Sequence, residues 1–501
     1  MRALSPERLD RHRWYAPVKS AAILLLLGSS TALAQGIRIT GVTSMQAVDL
    51  RPLVEDSVPV GLTTGTGPYR VLDDGRLVRC VEGEAVCRFR SSGSREMVAP
   101  VVQDLRAVAW GFGEGISFQA HVRARGSVAG GDSLWPRAAD AFDAIEAWME
   151  VDRGPIIARL GRQWAVGGLG VHNFDGASLQ FRYGRARLEA FGGRSLVAGL
   201  NEPIAGSQLG SLDDLPPDEH GWLVGFSARA PVSTRGVVGA TWQRVIRADR
   251  AALYSDRVAV DGVWRLYGVS ADGSLAWDVS GQEVNDARLR LARALRAGVS
   301  ASVEARRIRP FFEAWTIWGA FSPVAFDELR GAVDWRNVSG SLAVDIRGAR
   351  RRYDETNAGL ESTPLKRDGW RAGAGAEWSP AERWLLFTDY DVDIGFGASR
   401  SDVMAGARWM PDDFRWVGVS ASGLQHIYEF RIGTGRVTGL RVDAGTRITS
   451  RLRLLADAAL YSHHLSNGAP SPDWSQRRAS LRLEWTAGTD AGRTASGRRA
   501  K

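Results

Sequence analysis

The chain has 501 residues, a formal charge of +8 and a sequence pI near 9.8. That balance raises nucleic acid as a partner, but the charge sits at the two ends. Arg2, Arg8, Arg11, Arg13 and Lys19 outweigh Glu7 and Asp10 before Ala34, and Arg493, Arg498, Arg499 and Lys501 outweigh Asp490 after Thr486, so the body is close to neutral and nucleic acid drops out.

Residues 1–34 read as a secretory signal. A basic stretch precedes the apolar run Ala21–Leu27, and Ala32-Leu33-Ala34 is an A-x-A site predicting cleavage after Ala34. The apolar run is too short to span a bilayer. Residues 35–96 hold an N-terminal strand from Ile37 and a long connection, 53–95, that forms a loop or a plug. Within it, Glu82-Gly83-Glu84-Ala85 reads as a hairpin tip with Cys80 and Cys87 on its two arms. Export to an oxidising compartment predicts a disulfide between them. A metal site would need more ligands, and no His lies nearby.

From 97 to 486 the chain alternates. Ile116, Phe118, Ala120, Val122 and Ala124 share one face, opposite Ser117, Gln119, His121, Arg123 and Arg125. Trp370, Ala372, Ala374, Ala376 and Trp378 stand opposite Arg371, Gly373, Gly375 and Glu377. Side chains of a strand point alternately to its two faces, so each segment has one greasy and one wet surface. Lipid outside and water inside a closed wall account for the pattern. The predicted fold is all-β: a transmembrane antiparallel up-and-down β-barrel of about 18–22 strands.

Tight turns are expected at 113–115, 152–155, 184–185, 337–340, 379–380 and 411–413. Long loops are expected at 53–95, 126–139, 164–174, 195–218, 310–327, 353–367 and 463–474. The run from Phe414 to Ile432 reads as one long strand with its tip at Gly433-Thr434-Gly435, and the last strand as Ala479–Trp485. Residues 487–501 read as a disordered basic tail. Trp148, Trp222, Trp335, Trp370, Trp378, Trp384, Trp409, Trp416 and Trp485 lie near strand ends, as in aromatic girdles.

The wet face carries both signs of charge. Predicted pore-lining residues are Arg288, Arg290, Glu304, Arg306, Asp345, Arg347, Asp389, Asp391, Asp393, Arg441 and Asp443. Two arrangements fit them. Cross-strand ion pairs can keep the wall hydrated and neutral. Alternatively, an Arg wall over 285–352 faces the Asp row across the pore and sets up a transverse field. The loop carrying Phe311, Phe312, Trp315, Trp318 and Phe321 is a candidate sugar contact, a constriction, or part of the outer girdle.

No catalytic residue, metal site or cofactor is expected. His463-His464 reads as a solvated pair in an outer loop, and His121 faces the pore without a nucleophile. The chain lacks G-x-S-x-G, H-E-x-x-H and a phosphate loop. An enzyme is therefore not predicted.

Leu160-Gly-Arg-Gln-Trp-Ala-Val-Gly-Gly-Leu-Gly, then Phe174-Asp-Gly-Ala and Leu188-Glu-Ala-Phe-Gly-Gly, resembles the alginate-export type of outer-membrane porin over Leu160–Arg194. The resemblance implies a monomeric barrel that passes anionic polysaccharide or small anions through a basic lumen. Here the near-neutral body and the row Asp389, Asp391, Asp393 would repel a polyanion. The expectation is thus a passive channel for small polar or anionic solutes, such as sugars or organic acids, in the outer membrane of a Gram-negative-type bacterium. Its partners would be outer-membrane lipid and the solutes themselves. The alternatives are a structural or adhesive barrel that binds surface polysaccharide, or an outer-membrane hydrolase.

Overall fold

The computed structural model describes residues 36–51, 53–73, 77–129, 142–196, 221–247, 253–309, 325–354, 367–395, 398–429, 433–466 and 473–489. No helix among them is long and apolar enough to cross a membrane. The barrel wall is one antiparallel sheet in which every strand pairs with its neighbours in sequence. Gly36–Leu50 pairs on one side with Trp474–Gly488 and on the other with Pro100–Trp110, which closes the ring and leaves no free edge. Glu96–Val98 and Pro100–Trp110 form one stave interrupted at Ala99, so the barrel has 22 strands.

The connections divide the barrel into two ends. Short turns close one end, for example at Gly154-Pro155, Gly184-Arg185, Tyr267-Gly268 and Arg451; Gly36 and Gly488 lie at the same end. The long connections emerge at the other. Gly154 and Gly184 have φ of 63° and 58°, a left-handed conformation that glycine adopts without a Cβ penalty.

Residues opposite one another in the ladder share a face, so one face can be followed around the ring. Ala109, Phe118 and Met149 form one such row; Arg106, His121 and Glu146 form another. Polar side chains of the second kind reach across an intervening strand to meet each other, which places them on the concave, inner face. By this register Val122, Trp378, Val442 and Leu483 point outward, and Arg123, Glu377, Asp443 and Glu484 point inward. Trp335, Trp378, Trp384, Trp409 and Trp485 face outward at the short-turn end along one arc of the wall. Trp148 and Trp416 do not belong to a girdle: they share rows with Gln119 and Gly445 and face the lumen.

The connection 53–95 contains a second sheet, with order Leu53–Pro59, Val86–Ser92, Leu77–Cys80, Tyr69–Val71. Cys80 and Cys87 are opposite one another in it and form a disulfide. Val78, Cys80 and Cys87 are buried against Val58, Val60, Leu72 and Phe89 of the same segment, so the insert has its own small core. It is rooted where Leu50 pairs with Glu96, at the long-connection end.

Several expectations need correction. Residues 164–174 are not a long loop: Ile156–Gly167 and Gly170–Tyr183 form a continuous hairpin with Gly168-Leu169 at its tip. The strand from Arg415 ends at Glu429, and Gly433-Thr434-Gly435 opens the next strand instead of forming its tip. His463-His464 lies in the strand Leu452–Ser466, and the last strand extends to Trp474–Gly488. The aromatic cluster at 311–321, the signal segment 1–34 and most of the tail 487–501 lie outside the described residues.

Candidate functional site

The candidate site is the inner wall. All predicted pore-lining residues are on it: Arg288, Arg290, Glu304 and Arg306 on two adjacent strands, Asp345 and Arg347 two strands on, Asp389, Asp391 and Asp393 beyond the next, and Arg441 with Asp443 further round. They are joined by contacts along the wall. Arg288 donates to Glu304 at 2.9 Å, and Arg306 meets Asp286 at 2.5 Å. Arg290 stands in register between Asp272 and Glu304. Asp393 lies 3.3 Å from Arg371 and 3.4 Å from Arg351. Arg441 pairs with Asp457 at 3.5 Å, while Asp443 accepts from Arg408 at 3.3 Å and from Trp416 Nε1 at 2.9 Å.

The densest of these contacts centres on Arg347, on Leu342–Tyr353. Its guanidinium donates to Asp345 at 2.6 Å, to Asp389 at 2.7 Å and to Asp391 at 2.5 Å. Asp389 and Asp391 are on Trp384–Gly395, and Asp368–Trp378 lies between. The arginine can reach over that strand because the inward positions there are Gly373 and Gly375. A Cβ on Gly373 would come within 2.3 Å of Asp391 Oδ1 and 2.7 Å of Arg347 Nε, and one on Gly375 within 2.3 Å of Asp345 Oδ1. The Ala-Gly-Ala-Gly-Ala run thus makes a backbone trough in which a bidentate donor spans two carboxylates.

This arrangement overturns the transverse field. Arg347 does not face the Asp row across open water; it sits within that row and neutralises part of it. What remains is a polar wall of interleaved pairs, with a recess of about 950 Å³ lined by Asp345, Glu377, Asp389, Arg408, Arg441 and Asp443.

Two further features of the inner face were missed by sequence reasoning. The Gly168-Leu169 tip folds inward over two strands and docks on the next two. Gly168 N–H donates to Thr241 Oγ1 at 3.2 Å, and Gln243 Nε2 donates to His172 Nδ1 at 3.2 Å, whose Nε2 donates to Leu169 O at 3.3 Å. A Cβ would meet Thr241 Oγ1 at 2.6 Å from Gly167, or Ala259 Cβ at 2.9 Å from Gly168, so both positions need glycine. Beneath the tip, Ala165, Phe174, Phe191, Leu223 and Val245 form a buried core on the lumen side. Each large side chain buried there contributes about 1.5–3 kcal/mol, so this corner of the lumen is filled. The available signal was a set of apolar residues at positions whose parity predicts water.

The second is at the long-connection lip. His426 and His463, from strands separated by Gly433–Thr449, meet with Nε2 atoms 3.0 Å apart, and Trp474 packs against His463 at 5.2 Å. Both imidazoles are buried. The solvated-pair expectation therefore fails for His463. His464 points outward and pairs with Asp473 at 2.5 Å, whose carboxyl is held below its usual range by the Leu465 N–H and then by His464. His121 faces the lumen and bonds Asp104 at 3.1 Å. Among the described residues no three His, Cys, Asp or Glu side chains gather as a metal site.

Fold and wall together define a transmembrane up-and-down β-barrel with a charged inner surface. No family model and no curated protein matches the chain. Solved structures similar to it include OccAB3 of Acinetobacter baumannii (8% identity, 91% of this chain and 100% of that one, TM-score 0.40). An anion-selective porin from Comamonas acidovorans has 10% identity over 90% of this chain and 100% of its own, with a TM-score of 0.32. The siderophore receptor PirA from Pseudomonas aeruginosa has 9% identity over 90% and 80%, with a TM-score of 0.43. At these levels the likenesses add no argument to the closure that strand pairing itself shows.

Proposed function

We propose that the chain is an outer-membrane channel for passive passage of small polar or anionic solutes such as sugars or organic acids. The observation that carries this reading is the inner wall: 22 strands enclose a lumen lined by ion pairs. A charged wall stays hydrated in a wide water-filled lumen and would be costly in a dry one. Outward apolar rows and the outward tryptophans support a membrane setting for this wall. The short turns would face the periplasm and the long connections the exterior.

The local resemblance of Leu160–Arg194 to alginate-export porins supports a channel. The interleaved charges support small solutes over a polyanion, which would need a basic path along its whole length. No step of this function requires catalysis. Liposome swelling with the purified, refolded protein tests it. Swelling in small sugars and organic-acid salts, falling with solute size, is the expected result. No swelling in any solute would remove the channel.

A further inference from the structure

The outer face of a barrel should be apolar throughout its lipid-facing band, yet charge on this one is distributed unevenly. Near the short turns the outward positions carry Trp335, Trp378, Trp384, Trp409 and Trp485. Near the long connections they carry Arg194, Arg307, Arg350, Arg352, Arg436 and Arg477, each placed outward by its ladder partners. Among the described residues, outward arginines there outnumber outward aspartates such as Asp175, Asp327 and Asp368.

Three of these arginines border a groove of about 610 Å³. Its sides are two outward rows: Ala287, Arg307, Asp327 and Arg352 nearer the lip, and Leu289, Ala305, Leu329 and Arg350 one step deeper. Its floor is the backbone of the row between them, whose own side chains (Arg288, Arg306, Glu328, Arg351) point into the lumen. The groove therefore opens to lipid. Leu289, Ala305 and Leu329 give it an apolar side against which an acyl chain can lie.

At its lip-side end, Arg350 lies over Trp370 at 5.3 Å and reaches Asp368 at 3.2 Å, while Arg352 stands in register between Asp327 and Asp368. Both arginines are exposed and project from the same face of one strand, about 7 Å apart along it. Such a pair can grip one phosphate from two sides. A comparable groove of about 550 Å³, lined by Met149, Leu160, Leu179, Ala190 and Val224, has no outward charge among its lining residues. Apolar groove and cationic lip thus coincide at one place and not at the other.

We infer that the groove bounded by Arg350 and Arg352 is a binding site for a phosphate-bearing lipid of the outer leaflet, with an acyl chain against Leu289, Ala305 and Leu329 and the phosphate between the two guanidinium groups. The inference rests on the proposed membrane orientation, with the long connections outside. A leaflet built from phosphorylated saccharolipid presents this chemistry at that depth, and divalent cations balance the remaining negative charge of the phosphate and the neighbouring aspartates.

Native mass spectrometry of the detergent-purified protein tests it, with three probes: a bisphosphorylated glucosamine-based saccharolipid, its dephosphorylated form, and inorganic pyrophosphate. The wild-type protein is expected to prefer the phosphorylated lipid. The double substitution Arg350→Gln with Arg352→Gln should weaken it about thirtyfold, at roughly fivefold per arginine near an anionic surface. Arg293→Gln, outward near the short turns, should leave it unchanged. Equal binding of the dephosphorylated lipid, or an equal loss in the Arg293 variant, would overturn the site. Competition by pyrophosphate would show a free-phosphate site and overturn the lipid assignment. Heat-modifiable gel mobility confirms that each variant is folded, and conductance of the same preparations reads the channel separately.

Discussion

Replacing Arg347 with Gln should do more than any single substitution of its partners. The side chain is one-fifth exposed, and Asp345, Asp389 and Asp391 are 37%, 36% and 29% exposed. These are partly screened pairs, so each is worth about 0.5–1 kcal/mol, not the several kcal/mol of a dry one. Loss of the shared donor leaves three carboxylates crowded around the Gly373–Gly375 trough, and the expected destabilisation is about 2–3 kcal/mol by urea unfolding in detergent. The same change takes the one positive charge out of a cluster with three carboxylates, so the reversal potential should shift toward cations. That shift should fade with salt, because the screening length falls from about 10 Å at roughly 0.1 M to about 3 Å at roughly 1 M. Asp389→Asn together with Asp391→Asn removes two negative charges and should shift selectivity toward anions, with a smaller loss of stability, since Arg347 keeps Asp345. Gly373→Val separates geometry from charge: it displaces Arg347 and Asp391 without altering net charge, so stability should fall while selectivity moves little. Destabilisation by Arg347→Gln below about 0.5 kcal/mol, with unchanged selectivity at low salt, would refute the hub.

The inward tip gives a second prediction: Gly168→Val, whose side chain would strike Ala259 and Asp261, should lift the hairpin and raise single-channel conductance, and an unchanged or lower value would place the tip outside the conducting path. Mass spectrometry without reductant should show Cys80 joined to Cys87; Ser at both positions should cost the insert sheet about 2–3 kcal/mol and leave the heat-modifiable mobility of the barrel unchanged. Asp473 anchors the Leu465 amide and His464, and its carboxyl is lowered in the folded state. Its contribution is therefore complete above the ordinary carboxylate value of about 3.9 and is lost as pH falls below it. The protection factor of the Leu465 amide, with the intrinsic pH dependence of exchange divided out, should be flat down to about pH 4 and fall below it; a fall near neutrality would contradict this. Single-Cys labelling in a Cys80/Cys87-free background should find lipid at Val122 and Leu483 and water at Arg123 and Glu484.

The sequence carried the fold through one strong signal, period-two alternation. It places Val122 and Arg123, or Trp378 and Glu377, on opposite faces whatever the neighbouring strands do. Alternation also put the charges singled out in the sequence on the inner face. It could not say which charges meet, because Arg347 and Asp389 belong to strands that are not neighbours. Their contact depends on two glycines between them, read in the sequence only as small residues. The hairpin at 164–174 was mistaken for a loop because Gly167, Gly168 and Gly170 signal irregular backbone as readily as close approach. Here Gly167 and Gly168 serve close approach, at Thr241 and Ala259, while Gly170 takes a backbone φ of 103° that favours glycine. His463 was misplaced with its neighbour His464, although adjacent strand residues must face opposite ways.

Planar-bilayer recording on the refolded wild-type protein tests the central claim most directly. The account predicts discrete conductance steps, weak ion selectivity in high salt, and selectivity in low salt that Arg347→Gln moves toward cations. A correctly folded barrel that inserts and passes no current would contradict it.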